Sequence, residues 1–169
     1  MIEVVEFDAG WAVAFRREAE ALRGVLGEVV GAVHHIGSTS VPGLAAKPVI
    51  DILLEVRRVE ELDAFAGAME GLGYVVKGEF GIPGRRFYLK GEVERSHHVH
   101  AFEAGCADVV RHLAFRDYLM AHPEVAEEYA ALKRKAAARF RFDNDGYCEA
   151  KEAFVVEYER LAVAWAGRL

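Results

Sequence analysis

The stretch HIGSTSVPGLAAKPVID, residues 35–51, decides the fold that we expect for this chain. It connects a β-rich segment, residues 28–36, to a second apolar segment, residues 48–56, through a turn that begins at Gly37 and Ser38. A nearly continuous apolar run is typical of a strand that is covered on both faces, so this second strand is predicted to be central in a sheet. Asp51 lies within it, where an unpaired carboxylate would be costly, and we expect it to have a cation, a metal or several hydrogen-bond donors as partner.

The turn between the two strands has the composition of a phosphate-binding loop. Gly37 allows the backbone to approach an anion closely, and Ser38 and Thr39 add hydroxyl donors. A helix that starts nearby would direct free N–H groups at the same anion. Lys47 could reach a phosphate from this loop, or it could be a solvated turn lysine. The loop is neither a Walker A nor a GxGxxG motif, because Lys47 is followed by Pro48. The alternative is an ordinary strand-loop-strand connection.

The rest of the chain completes a mixed α/β architecture. A helical period covers residues 10–26 and 60–72, and short strand candidates follow at residues 74–76, 86–90 and 97–102. Glycine-containing turns separate these strands, which indicates an antiparallel continuation of the sheet. From residue 107 the sequence predicts three helices. We therefore expect one domain, in which residues 1–105 form an α/β core with a mixed sheet of about five strands and residues 106–169 form a helical part along one wall of a cleft.

Composition restricts the partners and the location. The net charge of -6 and the pI near 5.7 argue against binding to duplex nucleic acid, which needs a dense basic face. Basic residues still cluster locally, so a site for an anionic small molecule is allowed. No apolar run approaches the roughly 18–20 residues of a membrane span, and no basic and apolar leader is visible at the N-terminus. The chain is therefore predicted to be cytoplasmic, with no membrane contact and with Cys106 and Cys148 as reduced thiols.

The order of these features resembles a known signature. Gly37-Ser38, a short helical excursion and an aspartate fourteen residues after Gly37 resemble the hG[GS]…Dh[DE]h pattern of the polymerase-β-like nucleotidyltransferase superfamily. Within that superfamily, HIGSTSVPGLAAKPVIDI, residues 35–52, is similar to the GrpB family. Further segments fit the same family: Trp11 with Phe15 and Glu18, residues 72–74, 98–100 and 115–119, Tyr129 with Lys133, and Tyr147 with Lys151 and Phe154.

The resemblance implies a nucleotidyltransferase fold and a reaction. Gly37 and Ser38 would hold a nucleoside triphosphate, and Asp51 would be the first carboxylate of a divalent metal site that serves transfer to a small acceptor. The second carboxylate position is Leu53, which cannot bind a metal. A nucleotide-binding accessory module without catalysis is therefore the alternative. GrpB-like domains also occur fused to dephospho-CoA kinase, so the resemblance allows a link to coenzyme A metabolism.

Two histidines offer a different ligand set. His98 and His100 are two residues apart on a predicted strand and so point to one face. Imidazole favours Zn²⁺ or Mn²⁺ over Mg²⁺, so convergence with Asp51 would give a two-histidine, one-carboxylate centre. Such a centre fits a metal-dependent phosphoester hydrolase better than a polymerase-like enzyme. The alternative is a pair of strand histidines that are hydrogen-bonded to backbone.

Three further cations are predicted to bind phosphate. Arg86 opens a strand beside the histidine strand and is expected to face the cleft, unless it forms a surface salt bridge. Lys133 follows Tyr129 by four residues, and Lys151 follows Tyr147 by four, so each pair shares one helical face. Such faces could close over the nucleotide, or they could be helix-bundle contacts with a snorkelling lysine.

Overall fold

The computed structural model describes residues 1–169 as a five-stranded sheet with five α-helices. The strands are β1 (Val30–Ile36), β2 (Ile50–Val56), β3 (Tyr74–Val76), β4 (Arg86–Lys90) and β5 (His97–Glu103). The helices are α1 (Gly10–Leu26), α2 (Ala66–Gly71), α3 (Ala107–Ala121), α4 (Pro123–Arg139) and α5 (Asn144–Ala166). Short 3-10 turns lie at Gly27–Val29, Ser38–Ser40 and Val59–Phe65.

The sheet is mixed, as the sequence predicts. Its strand order is β1-β2-β5-β4-β3. β2 pairs antiparallel with β1 and parallel with β5, and the β5-β4 and β4-β3 pairs are antiparallel. β2 therefore lies inside the sheet, but β5 is its central strand. The parallel pairing places Asp51 directly opposite His98, so the first residues of two neighbouring strands meet at one end of the sheet.

The two faces of the sheet have different roles because side chains alternate along each strand. One face carries Ile52, Leu54 and Val99, which pack with Leu22 of α1 and Met69 of α2 in the main core. The other face carries the site residues and is covered in part by α3. Burial of the first face against the helices thus fixes which side chains of β2 and β5 lie on the second face, where the site is.

One buried polar cluster lies between α1 and the sheet. The Tyr74 hydroxyl donates to Glu18 Oε1 at 2.7 Å, and Lys90 Nζ donates to the same oxygen at 2.8 Å. Burial opposes the ionised form of Glu18, but these two donors and His97 hold the pKa of the carboxyl below its usual value. Hydrogen bonds from Tyr74 and Lys90 thus stabilise the buried negative charge of Glu18 where α1 packs on the sheet.

The predicted helix over residues 60–72 is found in two parts. A 3-10 turn, Val59–Phe65, buries Val59 and Leu62, and α2 follows from Ala66. Glycine lowers helix propensity, and α2 contains Gly67 and ends at Gly71, which explains its short length.

The C-terminal helices pack on one another and on the loop after β1. Leu119 and Val125 join Val41, Leu44 and Ala45 in a second apolar cluster. This contact brings α4 and the start of α5 over the loop, opposite Asp51. No helix has both the length and the apolar composition that crossing a membrane requires.

Candidate functional site

The glycine of the loop packs directly against the aspartate of β2. Gly37 has φ of 72° and follows Ile36, the pairing partner of Asp51. A Cβ atom at residue 37 would lie 2.7 Å from Asp51 Oδ2, closer than any allowed contact. The spacing between this glycine and this aspartate in the sequence therefore corresponds to a contact that only glycine permits.

The loop is braced by its own hydroxyl groups. A 3-10 turn covers Ser38–Ser40, and Ser40 Oγ donates to the carbonyl of Gly37. Thr39 is buried; its Oγ1 lies 2.9 Å from His35 Nε2, and the His35 ring stacks on Phe15. Thr39 therefore holds the loop in place, and Ser38 lines the pocket, where its hydroxyl also contacts Tyr129.

Asp51, His98 and His100 lie together on one sheet face. Asp51 Oδ1 is 3.4 Å from His98 Nδ1 and 3.4 Å from His100 Nε2. One ligand atom from each residue can be chosen so that all lie within 4.8 Å of one another, and no other cluster of this kind occurs in the chain. The structure thus brings together the three side chains that the sequence predicts to converge. That they bind a metal stays a prediction.

The surroundings of this cluster favour a charged carboxylate and a neutral imidazole. Burial would raise the pKa of Asp51, but hydrogen bonds and charge from His100 and His98 hold that pKa well below its usual value. Burial also lowers the pKa of His100, although Asp51 opposes this shift. The carboxylate thus stays an acceptor, and a neutral His100 that accepts from Arg85 at Nδ1 carries its ring proton on Nε2, toward Asp51. A metal bound at Nε2 would displace that proton.

A pocket of about 240 Å³ opens at this cluster. Its walls come from the loop after β1, from the first residues of β2 and β5, and from α4 and α5. The lining residues are Ser38, Thr39, Ala46, Lys47, Val49, Asp51, His98, Lys133, Asn144, Tyr147, Cys148 and Lys151. Two elements far apart in sequence, the glycine-serine loop and the N-terminal half of α5, therefore enclose one volume.

Lys47, Lys133 and Lys151 all line this pocket. That they bind phosphate stays a prediction. Lys47 Nζ donates to Asn144 Oδ1 at 3.2 Å, and Lys151 Nζ lies 4.1 Å from the centroid of the Tyr147 ring. Burial and the nearby Lys47 lower the pKa of Lys151, against Cys148 and Asp51. The pocket is rich in amines for its size.

Lys133 is the most buried of the three lysines. Its side chain is 2 % exposed; Nζ donates to the Ala45 carbonyl and lies 4.6 Å from the centroid of the Tyr129 ring. Burial, with smaller contributions from Lys151 and Arg134, lowers the pKa of Lys133 to about 7. A negatively charged ligand in the pocket would favour its protonated form.

The prediction that Arg86 faces the cleft is wrong. Arg86 pairs with Ala101 in the β4-β5 ladder and so lies on the opposite sheet face from His100. Its Nε and Nη2 donate to the carboxylate of Asp63 at 2.7 and 3.0 Å. The salt-bridge alternative therefore describes this residue, since strand alternation gives the site face to the next residue, Phe87, which pairs with His100.

Arg85 is the arginine that reaches the site. It is 6 % exposed, and its Nη1 lies 3.5 Å from Nδ1 of His100. Its place just before β4 gave no sequence indication of this contact, because the course of the preceding glycine-rich turn decides where its side chain goes.

The second carboxylate position offers no ligand. Leu53 is completely buried and packs with Ile36, Phe102 and Val109. Glu55, farther along the same strand face, accepts from His34 Nε2 at 2.7 Å and from the Gly105 amide at 3.2 Å. Asp51 is therefore the one carboxylate of β2 that faces the pocket.

Fold and site together define an α+β protein in which a glycine-serine loop, three lysines and two members of an Asp-His-His cluster, Asp51 and His98, line one pocket. The family model described as GrpB protein matches residues 1–160, and the chain belongs to that family. The family resemblance carried by residues 35–52 is thus confirmed, and the mixed fold with it.

The similar proteins include one curated relative of greater length and one solved structure. UPF0157 protein YqkA of Bacillus subtilis is 45% identical over 164 residues, which cover 97% of this chain. The chain spans about half of that relative, 48% of its length. The crystal structure of conserved protein GrpB from Enterococcus faecalis superposes with a TM-score of 0.94 at 41% identity, over 97% of this chain and 99% of that one.

A more distant similarity extends to a named enzyme. A dephospho-CoA kinase of Mycolicibacterium paratuberculosis is 28% identical over 190 residues, which cover 98% of this chain and 47% of the kinase. The matching region is therefore about half of that protein.

Proposed function

We propose that this chain is a metal-dependent nucleotidyltransferase that acts on a nucleoside triphosphate and a small acceptor. One observation carries the proposal: the loop after Gly37, Asp51 with His98, and three lysines line the same pocket of about 240 Å³. The resemblance to the polymerase-β-like superfamily agrees with this arrangement, because the loop and the aspartate hold the positions that its signature gives them.

The phosphate groups would lie against the lysines and the loop. Lys47, Lys133 and Lys151 offer up to three positive charges, and Asp51 is the one carboxylate among the lining residues. A triphosphate is the kind of ligand that balances such an excess of amines. The Ser38 hydroxyl and the open backbone at Gly37 would add hydrogen-bond contacts at short range.

The donor set next to the phosphate site fits a divalent metal. Two donors of a tetrahedral site, each about 2.1 Å from Zn²⁺, lie about 3.4 Å apart. Asp51 Oδ1 is 3.4 Å from each histidine nitrogen. Asp51 and His98 line the pocket and are the principal pair. His100 would complete the set, although Arg85 places a donor at its Nδ1, where a metal-bound histidine usually has an acceptor.

The metal ligands and the lysines would have different roles in the reaction. A divalent ion held by Asp51, His98 and His100 would neutralise charge on the reacting phosphate. Lys151 and Lys47 would orient the triphosphate. Lys133 would stabilise the negative charge that develops on the leaving pyrophosphate as the bond between the α- and β-phosphates breaks. Mn²⁺ and Zn²⁺ suit the two imidazoles, whereas Mg²⁺ prefers a second oxygen that Leu53 does not supply.

Hydrolysis of a phosphoester is a second candidate function. The observation in its favour is the ligand set itself, since two imidazoles with one carboxylate bind a single borderline metal and Leu53 removes a second metal position. Water would then be the acceptor. The two functions differ in whether an added hydroxyl or amine compound enters the product.

Calorimetric titration with nucleoside triphosphates and, separately, with Mn²⁺, Zn²⁺ and Mg²⁺ tests the proposal. Binding of nucleotide and metal, followed by release of pyrophosphate that depends on an added acceptor, supports a transferase. Release without an acceptor supports a hydrolase. Nucleotide binding without turnover supports a non-catalytic accessory module. No heat with any nucleotide contradicts the transferase and the accessory module.

A matched pair of variants tests the carboxylate. Asp51→Asn should abolish Mn²⁺ or Zn²⁺ binding, because a neutral amide oxygen lacks the negative charge with which a carboxylate binds the ion. Glu55→Gln changes a carboxylate on the same strand face that is bonded to His34 instead of lining the pocket, so metal affinity should be retained. Equal metal affinity in both variants would remove Asp51 from the site.

A link to coenzyme A metabolism is supported by the match to the Mycolicibacterium paratuberculosis dephospho-CoA kinase. We therefore include dephospho-coenzyme A and pantetheine phosphates among the acceptors in the turnover assay. A product that contains one of them, identified by mass spectrometry, would establish the link.

A further inference from the structure

One exposed aromatic residue lies near the site in an unusual conformation. Phe80 is 58% exposed and has φ of 47°, the one non-glycine residue of the chain with positive φ. This left-handed conformation is energetically unfavourable for any residue with a Cβ atom. A large ring that is held in solvent at such a cost is a reason to look for a ligand.

The loop around Phe80 is held by the buried arginine beneath it. Arg85 Nη2 donates to the Phe80 carbonyl at 2.8 Å, and Arg85 Nε donates to the Glu79 carbonyl at 3.1 Å. Gly78, Gly81 and Gly84 also have positive φ, so the backbone bends sharply on both sides of the ring. The exposure of Phe80 therefore follows from a built loop and not from a free end.

A continuous row of rings joins Phe80 to the histidines of the Asp51-His98-His100 cluster. Phe80 stacks on Phe87 with centroids 5.5 Å apart and planes at 21°. The Phe87 centroid lies 4.9 Å from that of His100 and 5.7 Å from that of His98. Because Phe87 pairs with His100 in the sheet, the whole row is on the same face as Asp51.

Phe87 is fixed in this row. It is 6 % exposed, and the Arg85 guanidinium carbon lies 4.3 Å from its ring centroid. The exposed Lys77 places its Nζ 5.7 Å from the Phe80 centroid, and a flexible lysine can move aside for a ligand. The row thus has a rigid inner member and an accessible outer one.

We propose that Phe80, supported by Phe87, is the stacking platform for the nucleobase of the substrate. The proposal rests on the proposed function, because it places the base on one side of the Asp51 cluster and the phosphate chain against the lysines on the other. Stacking uses the π-face that every base has, so the platform accepts purines and pyrimidines and prefers the larger ring.

The test compares a nucleoside triphosphate with inorganic tripolyphosphate, which has no base. Phe80→Gly is the variant of choice, since glycine adopts positive φ without strain and the loop can keep its course. It should weaken nucleotide binding about 5- to 100-fold and leave tripolyphosphate binding unchanged. Phe142→Gly, which removes a more exposed phenylalanine (82%) that is not part of this row of rings, should alter neither affinity.

Phe80→Trp gives a direct readout of stacking. Its fluorescence should be quenched by nucleotide but not by tripolyphosphate, and Phe142→Trp should show no such change. Equal nucleotide affinity in the wild type and in Phe80→Gly would overturn the platform while the proposed function stands. A wild type that binds tripolyphosphate and nucleotide equally well would overturn it too. Failure of both ligands to bind would refute the proposed function and the platform together.

Discussion

Replacement of Gly37 by alanine should damage the site more than the fold. The added Cβ would lie 2.7 Å from Oδ2 and 3.2 Å from Cγ of Asp51, so the carboxylate must move. That movement would break its contacts with His98 and His100, each of which is 3.4 Å from Oδ1. The φ of 72° adds strain of its own for any residue with a side chain.

The magnitude follows from these two effects. The left-handed backbone costs alanine about 1–2 kcal/mol. Loss of the hydrogen bonds of a charged, partly buried carboxylate adds about 1–2 kcal/mol. The unfolding free energy of Gly37→Ala should therefore fall by about 2–4 kcal/mol, which lowers Tm by about 4–16 °C for a chain of this size.

Gly43→Ala is the matched control. Gly43 has φ of 81°, but a Cβ there meets no atom within 4 Å, so this variant has the strain without the collision. Urea unfolding should place Gly37→Ala about 1–2 kcal/mol below Gly43→Ala, and calorimetry should show that only Gly37→Ala loses Mn²⁺ or Zn²⁺ binding. Two variants of equal stability, both with wild-type metal affinity, would refute the proposed contact between loop and carboxylate.

Three further predictions concern other residues. Because burial lowers the pKa of Lys133 to about 7, its amine loses charge as pH rises through that value, and nucleotide affinity measured from about pH 6 to 8 should fall more steeply in the wild type than in Lys133→Met; parallel profiles would contradict this. Tyr74→Phe removes the 2.7 Å hydrogen bond to Glu18 and should cost about 1.5–3 kcal/mol in urea unfolding, and an unchanged midpoint would show that the buried cluster does not depend on it. Arg86→Gln breaks a pair whose Asp63 side chain is 58% exposed, so it should cost less than about 1 kcal/mol and leave nucleotide affinity unchanged; weaker nucleotide binding would restore Arg86 to the site.

The sequence located most elements because each has a periodicity of its own. The helix over residues 10–26 and the strand over residues 86–90 are found with the predicted bounds. The pair Gly37 and Asp51 was visible for the same local reason, since a glycine at a strand exit and an acid in an apolar strand are both unusual. The predicted helix over residues 60–72 is found as a 3-10 turn followed by a short α-helix, and periodicity alone does not separate the two helix types.

Side-chain direction was harder to predict where a turn precedes a strand. His98 and His100 share a face by simple alternation, but which face depends on the parallel register that sets Asp51 opposite His98. Because of this register and the course of the glycine-rich loop, Arg85 and Phe87 lie on the site face, whereas Arg86 points to Asp63. No local pattern distinguishes two consecutive arginines.

The sequence by itself determined the mixed fold, the glycine-serine loop, the aspartate and the lysines that follow tyrosines by four residues, because each is a short-range pattern. Only the tertiary structure decided that Lys133 and Lys151, more than eighty residues beyond the loop, share its pocket. Packing of Leu119 and Val125 on Val41 and Leu44 holds the C-terminal helices, which carry these two lysines, against the loop. The burial of apolar surface between separate elements is a property of the folded chain, and no stretch of sequence records it alone.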